Sequence, residues 1–551
     1  MSAGDRINPV TVKELRQMVR SRLVAAGLIG QLAFQLIGVM IVLLSSREKL
    51  QSGSALLEGG LGGTVFNTVF FVLSLVLLLC VPAYAGVRMG AERSSEHLDL
   101  QYTTALRPRQ FADGKVAAAA VLILLFVSAA LPFLALSYLL RGLDVLQAML
   151  ATAMLVLVSV CCVYEALFLA AAATSRAFRV IVLLFALGFH LSLLGTVNSL
   201  GVAMVSFGQA VSLATWSDAV RPAMFLGCAA TLCLLLRATV VALITPPSAN
   251  RAAPLRRCIT GLWFFWGVIA FIAARVREDL DFVLVWALLG VIAAAGFAAV
   301  AASYPPGYSR RVLGEVAAAA GKRARQFLFF SGAENGMVWA LFLGLASVAA
   351  AVAAEAAAPG SWRPPAGDNV AAAWQIAGFF CYLAAYVWTV RAVWRAGLAK
   401  WVTYRLAGVF AAGLALLGWV LPALVALGRG RGSAAWRFGN PFFMFSDDAE
   451  GALALLPAVG MWAALALVAN LPGLREAARR FAGDGRRATS APPAGVPSDA
   501  AAVAPTLRGG GEGNGRRATS APLAGAASDA AQVAPTVAPT LRGGGEGGGY
   551  D

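Results

Sequence analysis

Apolar runs of roughly twenty residues recur along the first 471 positions of the chain, separated by short stretches rich in charge, Gly or Pro. A bilayer hydrocarbon core of about 30 Å is crossed by about 20 residues of helix, so each run predicts a transmembrane helix. Twelve are predicted, at 23–44, 64–87, 116–140, 145–174, 180–207, 222–244, 259–274, 280–301, 337–354, 371–390, 406–427 and 452–471. The expected fold class is an all-α polytopic integral membrane protein of about 12 transmembrane helices. Its expected parts are an amphipathic helix at 1–22, a six-span domain at 23–245, a further membrane domain of about six spans at 246–471, and a tail at 472–551.

Composition agrees with the pattern. Of 551 residues, 59% are hydrophobic and 13% charged, with a mean hydropathy of +0.74, far more apolar than a soluble domain. The net charge of +16 is scattered between apolar runs and forms no basic domain or aromatic-interleaved motif, which argues against nucleic acid as a partner. The basic excess instead fits cytoplasmic loops facing anionic lipid in a bacterial inner membrane.

Basic residues near span ends set orientation. They gather at Arg6, Lys13, Arg16, Arg20 and Arg22, at Arg176 and Arg179, and at Arg251, Arg256 and Arg257. Further groups are Arg310, Arg311, Lys322, Arg323 and Arg325, then Arg391, Arg395, Lys400 and Arg405. Both termini are therefore expected in the cytoplasm, with Arg429, Arg431 and Arg437 as the exception. The nearby aromatic stretch 436–445 reads as an interfacial segment. The opening 22 residues are polar and the following apolar run is too long for a signal-peptide core, so the first span is expected to direct insertion. Seven cysteines lie in or beside apolar runs without a C-x-x-C pair, which argues against disulfides and metal centres.

Two polar segments carry more information. Residues 8–22 open on Asn8-Pro9, a helix start, and place Val12, Leu15 and Val19 on one side with Met18 beside them. Lys13, Arg16, Gln17 and Arg20 point elsewhere, so an interfacial helix with its basic side chains toward lipid phosphates is expected. The link between spans two and three, 88–115, contains Ser94-Ser95-Glu96, with Leu98, Tyr102 and Ala105 on one face before Pro108. That pattern predicts a short helix bent back against the membrane, with mixed charge suited to a protein partner.

These segments resemble the membrane-spanning permease subunits of type-2 ATP-binding-cassette transporters. The resemblance is carried by Asn8-Pro9 and Lys13-Glu14-Leu15-Arg16-Gln17 with Arg20 and Arg22. It continues in Glu92-Arg93, Leu98-Asp99-Leu100, Thr103-Thr104-Ala105-Leu106, Arg109 and Gly114-Lys115, and in Leu131-Pro132-Phe133 and Gly142. Where the family has Gly-Thr-Leu and Thr-Pro-Leu, this chain has Glu96-His97-Leu98 and Thr104-Ala105-Leu106. The resemblance covers about residues 8–245 and implies a permease, most naturally an exporter, driven by a separate ATPase docking on 88–106. The contact residues it implies are Glu92, Arg93, Glu96, Leu98, Leu100, Thr103 and Leu106, with Lys13, Glu14, Arg16, Gln17 and Arg20 forming the elbow at the membrane surface. A second permease copy is a further candidate partner. This chain lacks G-x-x-x-x-G-K-[ST], so ATP is expected to be used by the partner and no cofactor or metal to be bound here. Alternatives are a twelve-span secondary transporter or a non-transporting scaffold.

Among isolated residues, Glu165 is the acid placed deepest in a span and is either a functional group or a hydrogen-bonded packing residue. Arg237 is expected to snorkel toward headgroups. His190, with no second histidine or acid near it in sequence, reads as a packing residue. Pro82, Pro132 and Pro422 are expected to kink their helices. From about Arg475 the chain turns to Ala, Pro, Gly, Ser and Arg and is expected to be disordered. It holds a duplication, Gly485-Arg-Arg-Ala-Thr-Ser-Ala-Pro recurring at Gly515 and Ala504-Pro-Thr-Leu-Arg-Gly-Gly-Gly-Glu-Gly at Ala538.

Overall fold

A computed structural model of the chain describes residues 8–47, 60–92, 107–140, 143–172, 176–206, 216–246, 249–304, 310–316, 319–359, 372–397, 406–429, 438–445 and 449–487. Every regular element among them is helical. The first half comprises α1 (Pro9–Val19), α2 (Arg22–Ser45), α3 (Leu61–Glu92), α4 (Pro108–Leu139), α5 (Val145–Ala172), α6 (Arg176–Ser206) and α7 (Trp216–Ile244). The second comprises α8 (Ala252–Arg277), α9 (Asp281–Ala302), α10 (Arg310–Gly314), α11 (Ala320–Phe329), α12 (Ala333–Ala357), α13 (Ala372–Arg395), α14 (Ala407–Arg429), a 3-10 turn at Pro441–Phe445 and α15 (Ala449–Arg487).

Among the described residues eleven helices are long and apolar enough to cross a membrane, and Ala407–Leu421 of α14 is a shorter apolar stretch at the eleventh predicted span. The protein is therefore a polytopic α-helical membrane protein. Its exposed large side chains, such as Phe34, Ile41, Leu124, Leu183, Phe264 and Leu289, are those expected where lipid is the solvent.

Two boundaries differ from the sequence pattern. Pro108 begins α4 at its first helical position, so the third span carries an additional polar turn holding Asp113, Gly114 and Lys115. The expected disorder does not start at 472 or 475, because α15 continues to Arg487. Its Phe481 is 2% exposed and packs edge-on against Phe327 and Phe330, anchoring a turn whose arginines make it look like linker. Residues 488–551, with most of the duplication, lie outside the described residues. The aromatic stretch, where described, is divided between inside and outside, with Phe438, Phe442 and Phe445 exposed. Phe443 and Met444 are buried, and Tyr386 donates its hydroxyl proton to the Gly439 carbonyl.

Two halves have separate cores. One gathers α1 to α7 around Phe66, Phe70, Leu77, Ile123, Leu155 and Leu167. The other gathers α8 to α15 around Trp286, Phe380, Tyr382 and Met444 and around Met337, Trp339 and Trp388. They meet along α7 and α8, where Trp266 Nε1 donates to Thr231 Oγ1 at 2.8 Å. Pro82 does not end α3. The preceding residues, Val76–Cys80, widen to π geometry, with the Val81 N–H bonded to the Val76 carbonyl five residues back. In that register Pro82, lacking an N–H, leaves the Leu77 carbonyl unpaired, and Ser159 Oγ of α5 donates to it at 2.8 Å. α4 likewise runs through Pro132 and α14 through Pro422.

Close packing of small residues holds α9 to α12. A Cβ at Gly290 would lie 2.8 Å from Trp263 Nε1 and crowd Ser347, the two groups that share a 3.0 Å hydrogen bond. Gly296 on the same helix has open space around it. Gly290→Ala is expected to destabilise by about 1–3 kcal/mol through overpacking, read as a lower unfolding midpoint in lipid or detergent, whereas Gly296→Ala leaves that midpoint unchanged or higher.

Candidate functional site

The N-terminal helix α1 lies across the start of α4. Asn8 caps it, its Oδ1 accepting from the Val10 N–H at 3.0 Å while its Nδ2 donates to the Gln110 carbonyl at 2.5 Å. Thr11 Oγ1 donates to the Gly114 carbonyl at 3.3 Å. Gly114 is required by proximity, since a Cβ there would meet Val10 Cβ at 2.7 Å. The side turned to the protein is Val10, Thr11, Glu14 and Met18. The predicted apolar stripe is the adjacent one, and its Val19 is 88% exposed.

Glu14 is thus inside, which the elbow reading did not anticipate. Its Oε1 receives a hydrogen bond from Lys115 Nζ at 2.5 Å, and its Oε2 lies 3.4 Å from Arg88 Nη2. Lys115 also contacts Glu92 Oε2 at 2.6 Å, and Glu92 Oε1 accepts from Lys13 at 2.7 Å. Two carboxylates and three cations from α1, α3 and α4 form one chain of charge. Lys115 and Glu14 are almost wholly buried, which suits mutual compensation because either alone would be a desolvated charge. The Lys13–Glu92 end is exposed at Lys13 and adds at most about 1 kcal/mol. Beside the chain, Glu14, Met18, Tyr84, Arg88 and Lys115 border a cavity of about 20 Å³, room for one water.

Of the elbow residues, Arg16, Gln17 and Arg20 are exposed, while Lys13 and Glu14 turn to protein partners instead of lipid. Of the predicted contact residues, Glu92 is the last described position of α3. Arg93, Glu96, Leu98, Leu100, Thr103 and Leu106, with the short helix expected there, lie outside the described residues.

Deeper in the same half, α5 and α6 bring a second polar group together. Glu165 Oε2 lies 3.8 Å from His190 Nε2, so His190 has an acid beside it that its sequence neighbourhood conceals. Cys162, one turn before Glu165, joins them, with ligand atoms of all three within 4.8 Å of one another. Cys161 Sγ is 3.2 Å from Cys233 Sγ on α7. Arg237, over a third exposed, also has a protein partner. Its Nε and Nη2 each donate at 2.6 Å to the two carboxylate oxygens of Asp113, a bidentate tie between α7 and α4.

The second half holds two arginines that sequence reading assigned to loop charge. Arg391 is 2% exposed, donating to Glu334 at 2.7 Å and to the Ala302 carbonyl at 3.3 Å. Arg256 donates to the carbonyls of Leu328 and Phe330 at 2.8 and 2.7 Å. Their positions at the ends of predicted spans were the available signal, since a span end can face protein as well as water.

No family model matches this chain, and no similar curated protein or solved structure was found.

Lys115→Met leaves Glu14 buried opposite Glu92 without their shared cation. The expected loss is about 3–5 kcal/mol, seen as a lower unfolding midpoint and faster proteolysis within α1. Glu14→Leu combined with Lys115→Met is expected to recover most of it. A double variant no more stable than Lys115→Met alone would show that the pair is not coupled.

Proposed function

We propose that this chain is the permease subunit of a type-2 ATP-binding-cassette exporter, energised by a separate ATPase that docks on residues 88–106. The observation that supports the reading most is the attachment of Glu92 to both α1 and α4 through Lys13 and Lys115. Glu92 immediately precedes the segment on which the partner would act. A displacement applied there enters α3, α4 and α1 as one body, because salt-bridged and closely packed elements move together instead of bending independently. ATP is bound and hydrolysed by the partner, and this chain supplies the path.

In this reading α1 lies on the cytoplasmic surface of a bacterial inner membrane, with exposed Arg16 and Arg20 toward headgroups and Val19 and Leu23 toward acyl chains. Both termini are cytoplasmic. The basic last turns of α15, with Arg475, Arg479 and Arg480, add to the same side of the charge balance. A second permease copy completes the translocation path.

Affinity purification of the full chain from its native membrane should recover an ATPase carrying a phosphate-binding loop, and replacing 93–106 by a Gly/Ser segment should lose it while the membrane domain stays folded. Failure to recover any ATPase, together with no ATPase gene beside this one, overturns the proposal. A secondary transporter is the competing reading, and Glu165 beside His190 is the observation in its favour. It requires ion-coupled flux in ATP-free vesicles that is abolished by Glu165→Gln, whereas the permease reading requires flux to stop when ATP is withheld.

A further inference from the structure

His190 sits two residues from the centre of its candidate span, 179–205, and its imidazole is 7% exposed. Its Nδ1 lies 2.7 Å from the Ala186 carbonyl. A carbonyl only accepts, so Nδ1 carries a proton, and in the tautomer this fixes Nε2 presents its lone pair on the opposite side of the ring. That Nε2 is buried with no hydrogen-bond partner, and it faces Glu165 Oε2 at 3.8 Å. Two acceptor atoms confronting each other away from water repel unless something positive lies between them. The third member is Cys162, 2% exposed and one helical turn before Glu165 on the same face of α5.

We propose that Cys162, Glu165 and His190 form an intramembrane site for a single divalent transition-metal ion of the zinc class. The donor set is one sulfur, one nitrogen and one oxygen, the mixture such ions accept, in contrast to the all-oxygen shells of Mg²⁺ and Ca²⁺. Tetrahedral coordination with bonds of about 2.0–2.3 Å places donor atoms about 3.5 Å apart. The three ligand atoms already lie within 4.8 Å of one another and the Glu165–His190 pair at 3.8 Å, so side-chain adjustment suffices to bring them onto one ion. The Ala186 carbonyl holds the ring and its tautomer as an outer-shell partner does at a metal-bound histidine.

Charge makes the same case. A dication entering the site displaces the Cys162 thiol proton and any proton held between Glu165 and His190, and so meets a thiolate, a carboxylate and a neutral imidazole. The complex is formally neutral, so it avoids most of the cost that a carboxylate or a bare cation incurs in low dielectric. Three protein ligands leave the fourth position open. The site is independent of what drives transport.

The full chain, purified in lipid nanodiscs and stripped with a chelator, is titrated with Zn²⁺ and with Co²⁺ as a spectroscopic probe. The expected result is one tightly held ion per chain, with tetrahedral Co²⁺ bands and thiolate-to-cobalt charge-transfer absorption. Cys162→Ser should remove the charge-transfer absorption, and His190→Ala or Glu165→Gln should weaken binding at least about tenfold. Cys161→Ser and Cys233→Ser keep both properties. The proposal is overturned if the wild-type chain binds no ion at this stoichiometry, or binds Co²⁺ without the thiolate absorption. It is equally overturned if Cys162→Ser and His190→Ala, folded by the criterion of an unchanged unfolding midpoint, bind Zn²⁺ as the wild type does, since a proton alone then bridges His190 and Glu165.

Discussion

Inside hydrocarbon a backbone amide has no water to fall back on, and that single constraint shapes this molecule. It makes each span a helix, and it makes every interruption of a helix an obligation for a neighbour. The π segment before Pro82 is the clearest instance, because the carbonyl left by the missing N–H is taken by Ser159 from α5. The same need for partners sets Gln31 of α2 donating to the Phe126 carbonyl of α4. Asn470 of α15 donates to the Trp388 carbonyl of α13, and Ser74 bonds Asn198 between α3 and α6. Lipid offers apolar side chains no advantage in meeting each other, so these ties and the close approaches at glycines decide which helices neighbour which.

The two halves meet that requirement differently. In the first, charge is concentrated at one end, where Glu14, Lys115 and Glu92 bind the surface helix to two spans. A buried pair of this kind contributes little net stability against an apolar replacement but fixes one arrangement, because each partner is costly without the other. In the second half, Arg256 holds the carbonyls at the end of α11, and Arg391 forms a separate ion pair with Glu334. Tryptophan N–H groups bridge helices there, Trp263 to Ser347, Trp339 to Thr260 and Trp462 to Thr389. The first half thus carries a charge chain that a partner could shift as a unit, and the second is stitched at many separate points.

Gly114-Lys115 joins these themes. In the sequence the pair is part of the permease resemblance, and in the fold its two residues serve α1. The glycine lets Val10 approach the α4 backbone, and the lysine neutralises Glu14 and Glu92. Asp113 beside them ties down Arg237. Three consecutive residues in one turn connect α4 to α1, α3 and α7.

The helical class, eleven of the spans and the amphipathic start at Asn8-Pro9 were legible in the sequence, because the length of an apolar run and a capping residue are local quantities. The rotation of α1 was not, since Glu14 counts as polar whether it faces water or a buried lysine. Nor was the helical state of 475–487, where small residues and arginines conceal the anchoring of Phe481. Glu165, His190 and Arg237 were each visible as unusual residues, but their partners, with Asp113 for Arg237, stand 25 and 124 residues away. Periodicity reports what one helix turns outward and carries no information about which helix stands opposite. That choice belongs to the tertiary packing, and it separates a lone acid in a span from an acid that faces a histidine and a thiol.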